Sequence, residues 1–381
     1  MQAVVLAGGK GTHLYPITSS TPKAMVNLFN KPVLEHTIEL LKRHDIHDIV
    51  ITLSGEAEQV IDYFGGGSKW GVNIQYSLED LPKGTAGSLR RIQPVLNGTF
   101  VVIPTDAVTD FDLKAAVDFH KTKSTIATML LSEADDPSPF GIVESDADGK
   151  IIRFIEKPSP SEVFTNTINT GIYVLEPEVL SYIPYDTACD FAGGVLPRLL
   201  QNQEPLYSYR AEGHWCDIRG LTHYRNVHFD VLAGKIKLNL PASRITDGIW
   251  VAENASIHPS VSLRPPLYVG NGVRISKNST LGRLAIIGDT GLVGENAEVT
   301  HSILGVGASV AKQTRVYGSV VGSGYTLSEG RHLTDEVVVR NGSGTDLTAE
   351  IDPGLLSQLT KNEHAFTWSG LELSRLVAEV S

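Results

Sequence analysis

The chain has 381 residues, 41% of them hydrophobic, a formal charge of −11 and two cysteines, Cys189 and Cys216. The acidic balance argues against a nucleic-acid-binding face, and so few cysteines exclude a disulfide framework and a thiolate metal cage. No apolar run approaches the roughly 18 residues of a membrane span, and the N-terminus shows neither a basic n-region nor a cleavage site, so a cytoplasmic, non-membrane protein is expected.

The first element is the apolar run Ala3–Leu6, which reads as a buried parallel strand. It opens into Ala7-Gly8-Gly9-Lys10-Gly11-Thr12-His13. Without Cβ atoms, such a turn lets backbone N–H groups crowd around an anion, most often a phosphate. Lys10 and Lys23 would add charge to the same pocket. The order G-G-x-G-T is not the dinucleotide fingerprint, and Gly9-Lys10-Gly11 breaks the P-loop pattern. A tight turn with no ligand is the plain alternative.

Up to about residue 233, strand-like and helix-like patterns alternate. Ile49–Leu53, Phe100–Ile103 and Ile126–Leu131 read as buried strands, while Val33–Arg43, Ala86–Val95 and Leu113–Lys121 carry helical periodicity. Pro32 stands at the start of the first helix. Alternation of this kind predicts an α/β sheet with crossover helices, ligands binding at the carboxyl ends of its strands, where loops 7–23 and 104–112 lie. The helix Leu221–Ala233 would close the domain.

After Pro241 the period changes. Ile245, Val251, Ile257, Leu263, Val269, Ile275, Leu281, Ile287, Val293 and Val299 stand six residues apart, with small or aliphatic residues recurring two positions before each. Near Gly305 the register slips by one, and Leu304, Val310 and Val316 resume it. Six is neither a helical nor an ordinary sheet period, and it predicts a parallel β-helix of hexapeptide repeats, each side pointing one aliphatic residue inward. An open flank on such a coil favours a homo-oligomer. The expected domains are 1–236, 237–330 and a tail, 331–381, with weak helical character at Leu355–Leu359 and Leu371–Val380.

Leu-Ala-Gly-Gly-x-Gly-Thr-x-Leu-x-Pro-x-Thr from Leu6, followed by Pro22-Lys23, resembles the signature of the sugar-nucleotide pyrophosphorylases. The resemblance implies a Rossmann-like nucleotidyltransferase domain with a mixed, mostly parallel sheet, followed by a left-handed parallel β-helix. It also implies transfer from an NTP to a sugar-1-phosphate, giving an NDP-sugar and pyrophosphate, and overall likeness favours GTP and mannose-1-phosphate. Leu6, Ala7, Gly8, Gly9, Gly11, Thr12 and His13 would then hold the nucleotide, with Gly84-Thr85-Ala86 accepting base and ribose and the glycines there allowing close approach. Val337–Ile351 resembles the opening of a phosphohexomutase domain, leaving a shortened fusion or a chance likeness open.

Two carboxylates stand where the family binds Mg²⁺: Asp106 after the strand-like Val101–Ile103, and Asp217 in Trp215-Cys216-Asp217-Ile218. Asp106 could equally cap a turn. Mg²⁺ takes one or two carboxylates and completes its shell with phosphate oxygens and water. Arg219 replaces the family's glycine, and could pair with the aspartate or contact phosphate. Glu156-Lys157-Pro158 resembles the sugar-phosphate site, with a surface ion pair as the alternative, and Gly141, Asn169 and Thr170 complete the hexose contacts that the family implies. Lys23 would hold the α-phosphate region and Lys157 the sugar phosphate, which is already ionised and needs no general base.

His13 departs from the family's arginine. An imidazole is shorter, offers fewer donors and is mostly neutral at pH 7. By analogy with arginine fingers, losing such a cation costs about 10³-fold or more. An active enzyme and a catalytically weak, NDP-sugar-binding regulatory or assembly subunit therefore both stay open. A third class is an acyltransferase using the β-helix, with His258 or His301 as its base, although both also fit the corners of a coil.

Overall fold

The computed structural model describes residues 1–79, 83–353 and 368–373. The expected helix Leu355–Leu359 and most of Leu371–Val380 lie outside them. The chain forms two compact units: Met1–Lys10, Pro22–Met25 and Val33–Asp217 in one, and Gly11–Thr21, Val26–Pro32 and Ile218–Ser381 in the other.

In the first unit, β1 (Gln2–Leu6) pairs in parallel with two strands, β2 (Asp48–Ser54) on one edge and β4 (Phe100–Pro104) on the other. Between them in sequence, β3 (Asn73–Glu79) adds outside β2, also in parallel. The chain therefore leaves β1 on one side and returns on the other, which makes a topological switch point. Ala3 and Val5 belong to one core and Val4 to another, because both faces of the strand are covered. That explains a continuous apolar run in place of alternation.

Helix α1 (Val33–Arg43) has the boundaries expected, burying Leu34, Ile38 and Leu41 at helical spacing and ending in Lys42 and Arg43, which suit its C-terminal dipole. The next helix differs from expectation. The segment expected at Ala86–Val95 is α3 (Gly84–Arg91) followed by a separate 3₁₀ turn at Gln93–Val95, and α2 is Ala57–Phe64. Pro94 lacks an N–H and disfavours helical backbone at Gln93, so the helix stops before it. A short β5 (Ala107–Thr109) and α4 (Leu113–Lys123) lead to β6 (Ala127–Glu133).

The hairpin β7 (Gly141–Ser145) and β8 (Ile151–Glu156) precedes β9 (Thr167–Leu175), which pairs antiparallel with β4, β6 and β7. The sheet is thus mixed, with nine strands. Helix α5 (Leu196–Gln201) and β10 (Leu206–Arg210), parallel to β6, complete it, and β11 (Trp215–Asp217) forms a separate antiparallel pair with β5.

The second unit holds α6 (Leu221–Leu232) and the β-helix. Parallel ladders run Ile249–Leu267–Ala285 in steps of 18 residues, and Ile303–Val320–Val337 in steps of 17. The slip expected once near Gly305 thus recurs in each later coil. One corner is shortened every time, and a residue with positive φ turns it: His301 (49°), Gly318 (62°) and Asp335 (50°). Ile245 differs from expectation, since Ser243–Thr246 runs antiparallel to Ile249–Val251 and caps the coil. The parallel ladder continues past residue 330 to Val338, where Glu336–Arg340 and Asp346–Glu350 form a closing hairpin. The segment that resembles a phosphohexomutase opening is therefore that hairpin.

Arg225 of α6 explains where the short corners point. Its guanidinium is fully buried and donates to the carbonyl of Gly318 at 2.8 Å, to Asp335 Oδ1 at 3.2 Å and to the carbonyl of Asp352 at 3.0 Å. Burial lowers its pKa and raises that of Asp335, each opposing the other's shift through their attraction. Removing one partner of a buried ion pair strands the other. Arg225→Ala is expected to destabilise the fold by about 3–5 kcal/mol in chemical denaturation. Arg315→Ala, at an exposed pair 3.9 Å from Glu298, should change stability by about 1 kcal/mol or less.

His120 supplies a pH test of the first unit. Its ring is buried in α4 between Thr128 Oγ1 at 2.8 Å and Glu176 Oε1 at 3.1 Å. Desolvation lowers its pKa below 6.5, outweighing the opposing pull of Glu176. The folded state therefore binds fewer protons than the unfolded chain, and stability present above pH 6.5 falls as pH drops through that value towards the depressed folded pKa. His120→Gln should flatten the pH slope of the urea midpoint below that point.

Candidate active site

A cavity of about 400 Å³ opens at the carboxyl ends of β1 to β4. Leu6, Gly8, Gly9 and Lys10 follow β1; Thr52 and Glu79 come from β2 and β3; Gly84, Thr85 and Ser88 from α3; and Pro104, Thr105 and Asp106 follow β4, with Lys23 and Asp190 beside them. The loop after β1 is anchored by the Thr105 N–H donating to Leu6 O at 3.1 Å, the Ala7 N–H to Thr52 O at 3.0 Å and the Ser54 hydroxyl to Gly8 O at 2.6 Å.

Lys23 Nζ lies 2.5 Å from Asp106 Oδ2, both side chains being partly exposed. Register brings the backbone of Asp217 close to this turn, because Asp217 is paired with Ala107, the neighbour of Asp106. Among the described residues no three His, Cys, Asp or Glu side chains cluster as a metal site. Asp106 lines the cavity and the backbone of Asp217 lies beside it, and two carboxylates are a donor set that fits a hard cation drawing its remaining ligands from phosphate and water.

Of the expected nucleotide set, Leu6, Gly8, Gly9, Gly84 and Thr85 line this cavity. Ala7 and Ala86 are buried beside it, the Ala86 N–H donating to Cys189 O at 2.9 Å. Gly11, Thr12 and His13 belong to the other unit, where Thr12 and His13 are exposed on a short helical turn. The glycine at Gly84 serves a close approach of a different kind from the one expected. A Cβ there would lie 2.6 Å from Cys189 O, and φ is +74°. The first turn of α3 thus packs on the chain's own segment 187–190.

Asp190, which no motif marks, organises that contact. Its Oδ1 accepts from the Thr85 N–H at 3.1 Å, while the Thr85 hydroxyl accepts from the Phe191 N–H at 2.8 Å. Glu79 was equally unmarked. It is 6% exposed, one carboxylate oxygen accepts from the Lys83 N–H at 3.3 Å, and the other is buried without a hydrogen-bond partner among the described residues.

The expected sugar set comes from three strands. Gly141 and Glu156 are cross-strand partners on β7 and β8. Lys157, the next residue, lies in the left-handed region (φ 48°) with its N–H donating to Phe140 O at 3.0 Å. Burial raises the Glu156 carboxyl, Lys157 opposes that shift and Asp190 adds to it. The side chains of Asn169 and Thr170 are engaged within the sheet: Asn169 Nδ2 donates to Tyr173 Oη at 2.7 Å, its Oδ1 accepts from the Gly171 N–H, and the Thr170 hydroxyl donates to Leu130 O at 2.7 Å. They hold the irregular stretch of β9 between Asn169 and Tyr173.

The sequence profile described as "Nucleotidyl transferase" matches residues 2–233, more than half of the chain. The chain belongs to the nucleotidyl transferase family. It is 35% identical to a UTP–glucose-1-phosphate uridylyltransferase of Synechocystis sp., over 80% of this chain and 82% of that protein. It is 33% identical to the mannose-1-phosphate guanyltransferase of Saccharomyces cerevisiae, over 68% and 72%. A solved structure from Bacillus anthracis, assigned as a glucose-1-phosphate thymidylyltransferase, superposes with a TM-score of 0.57 at 29% identity, over 63% of this chain and 97% of that one. The resemblance read from the glycine loop holds, and the chain is a nucleotidyltransferase.

Gly141 gives a direct test of the sugar set. A Cβ at this position would stand 2.6 Å from the Phe154 ring and 2.7 Å from Glu156 Oε2, so an alanine must displace one of them. Gly141→Ala is expected to raise KM for the sugar phosphate about tenfold, the cost of a contact weakened by about 1.4 kcal/mol, with KM for the NTP changed less.

Proposed function

We propose that the chain transfers a nucleotidyl group from an NTP to a sugar-1-phosphate, with GTP and mannose-1-phosphate as its preferred pair. An oxygen of the sugar phosphate attacks the α-phosphorus, the bond to the bridging oxygen of the β-phosphate breaks, and pyrophosphate leaves. The sugar phosphate enters ionised, so the protein's part is positioning and charge neutralisation. In this reading Gly8 and Gly9 cradle the phosphates, Lys23 leaves Asp106 for the α-phosphate, and Lys157 meets the sugar phosphate. Glu156 orients the hexose, while Asn169 and Thr170 hold β9 in place as positioning residues. Asp106 and Asp217 would hold Mg²⁺, which when bound neutralises charge on the phosphate oxygens.

Glu79 is the observation that supports guanine. A carboxylate offers only acceptors. Guanine presents N1–H and the 2-amino group side by side, two donors matched to one carboxylate. Uracil and thymine present a single N–H between two carbonyls, which a carboxylate repels, and adenine presents one donor beside an acceptor. Selection by a polar group left unpaired with the wrong base is strong. Relatives named for uridylyl as well as guanylyl transfer make the base a real question.

His13 favours a second reading, in which the chain binds an NDP-sugar and regulates or assembles with an active partner. The parallel ladders end at Thr326–Leu327 and His332–Thr334 with no further strand beside them among the described residues, which supports a homo-oligomer. No helix among the described residues is long and apolar enough to cross a membrane. Cys189 and Cys216 form no disulfide, which suits a reducing, cytoplasmic setting.

The test is pyrophosphate release with each NTP, a panel of sugar-1-phosphates and Mg²⁺. GTP with mannose-1-phosphate should give the highest kcat/KM, EDTA should stop turnover, and Asp106→Ala should abolish it. Glu79→Gln, whose amide matches the donor–acceptor edge of uracil, should shift the GTP-to-UTP ratio by about tenfold to a hundredfold. Binding of GDP-mannose without turnover, together with a gain of activity in His13→Arg, would favour the regulatory reading. Neither turnover nor binding in any combination refutes both.

A further inference from the structure

A second cleft, of about 420 Å³, lies in the first unit on the opposite side of the first turn of α3. Lys83, Arg90 and Arg91 line it, with Asp186 as its one carboxylate among the described residues and Tyr185, 80% exposed, at its edge. A concentration of positive charge in a chain of net charge −11 is not a sample of its average surface. Lys83 Nζ pairs with Asp186 Oδ1 at 3.1 Å. Arg90 is held by Gln93 Oε1 at 2.5 Å and Leu180 O at 3.1 Å, which fixes its fork in the wall, and its Nε is buried without a partner among the described residues. Arg91 is exposed and forms no ion pair among the described residues. The cations therefore exceed the carboxylate by two, one already oriented and one unengaged.

The wall of this cleft is also a wall of the nucleotide cavity. Gly87 and Thr187 face the cleft, while Gly84, Thr85 and Asp190, a few residues away on the same two segments, face the cavity. Packing between the segments leaves no slack. A Cβ at Gly87 would stand 2.7 Å from Lys83 Cβ and 3.1 Å from Thr187 O, and the Ala86 and Gly87 N–H groups both donate to Cys189 O. A ligand that pulls Lys83 from Asp186 shifts the segment that also carries Asp190, the acceptor for Thr85 in the cavity.

We propose that the basic cleft binds a phosphorylated small molecule, and that its occupancy changes nucleotide affinity through the shared wall. Guanidinium forks suit the oxygens of a phosphate, and Tyr185 suits a planar ring attached to it. The coupling half rests on the nucleotide reading given above, whereas the binding half does not.

The test titrates inorganic phosphate and phenyl phosphate into the full chain by calorimetry, with and without saturating GTP and with no sugar phosphate present. Binding should persist with GTP bound and be tighter for phenyl phosphate. It should weaken about tenfold or more in Arg91→Glu, which removes a charge-assisted hydrogen bond, and recover largely in Arg91→Lys. Conversely, GTP affinity should change on filling the cleft of the native chain and stay constant in Arg91→Glu. No binding of either probe, or binding that Arg91→Glu leaves unchanged, overturns the site. Binding with no change in GTP affinity overturns the coupling, and a chain that fails to bind GTP still reports on the cleft.

Discussion

The first unit depends on one constraint: β1 must pair in parallel on both of its edges. Its left and right neighbours, β2 and β4, are reached by crossovers that leave and return on opposite sides. The loops after β1 and β4 therefore part at their carboxyl ends, and the space between them is the cavity. Everything placed in the site inherits its position from this split. Lys10 follows β1, Asp106 follows β4, and β11 brings Asp217 to the same place by pairing with β5.

Legibility in the sequence followed the size of the pattern that carries each feature. The β-helix was readable because its core repeats in one dimension: Leu263, Leu281 and Val299 are fully buried at a fixed spacing. The recurrence of the short corner was not. His301, Gly318 and Asp335 share a backbone conformation and no chemical type, and only spacing to later strands marks them. The glycine loop was legible as a motif, yet the roles of individual groups within it depend on partners far away in sequence. Gly84 meets Cys189, more than a hundred residues on, and Asp190 takes the Thr85 N–H. Glu79 ends a strand among unremarkable neighbours, and only burial distinguishes it from a surface glutamate.

Charge in the two cavities gives the arrangement its logic. Among the described residues, the cavity after β1 and β4 sets two lysines, Lys10 and Lys23, against three carboxylates, Glu79, Asp106 and Asp190. A triphosphate entering it meets a lining that does not neutralise it. A divalent cation held by Asp106 and Asp217 would offset that balance and would compete with Lys23 for Asp106. The basic cleft behind α3 has the opposite balance and needs no such help to hold an anion. Two sites of opposite charge on either side of one helical turn will respond differently to salt. Screening weakens the cleft's hold on its ligand, while it eases the entry of a triphosphate into the acidic cavity.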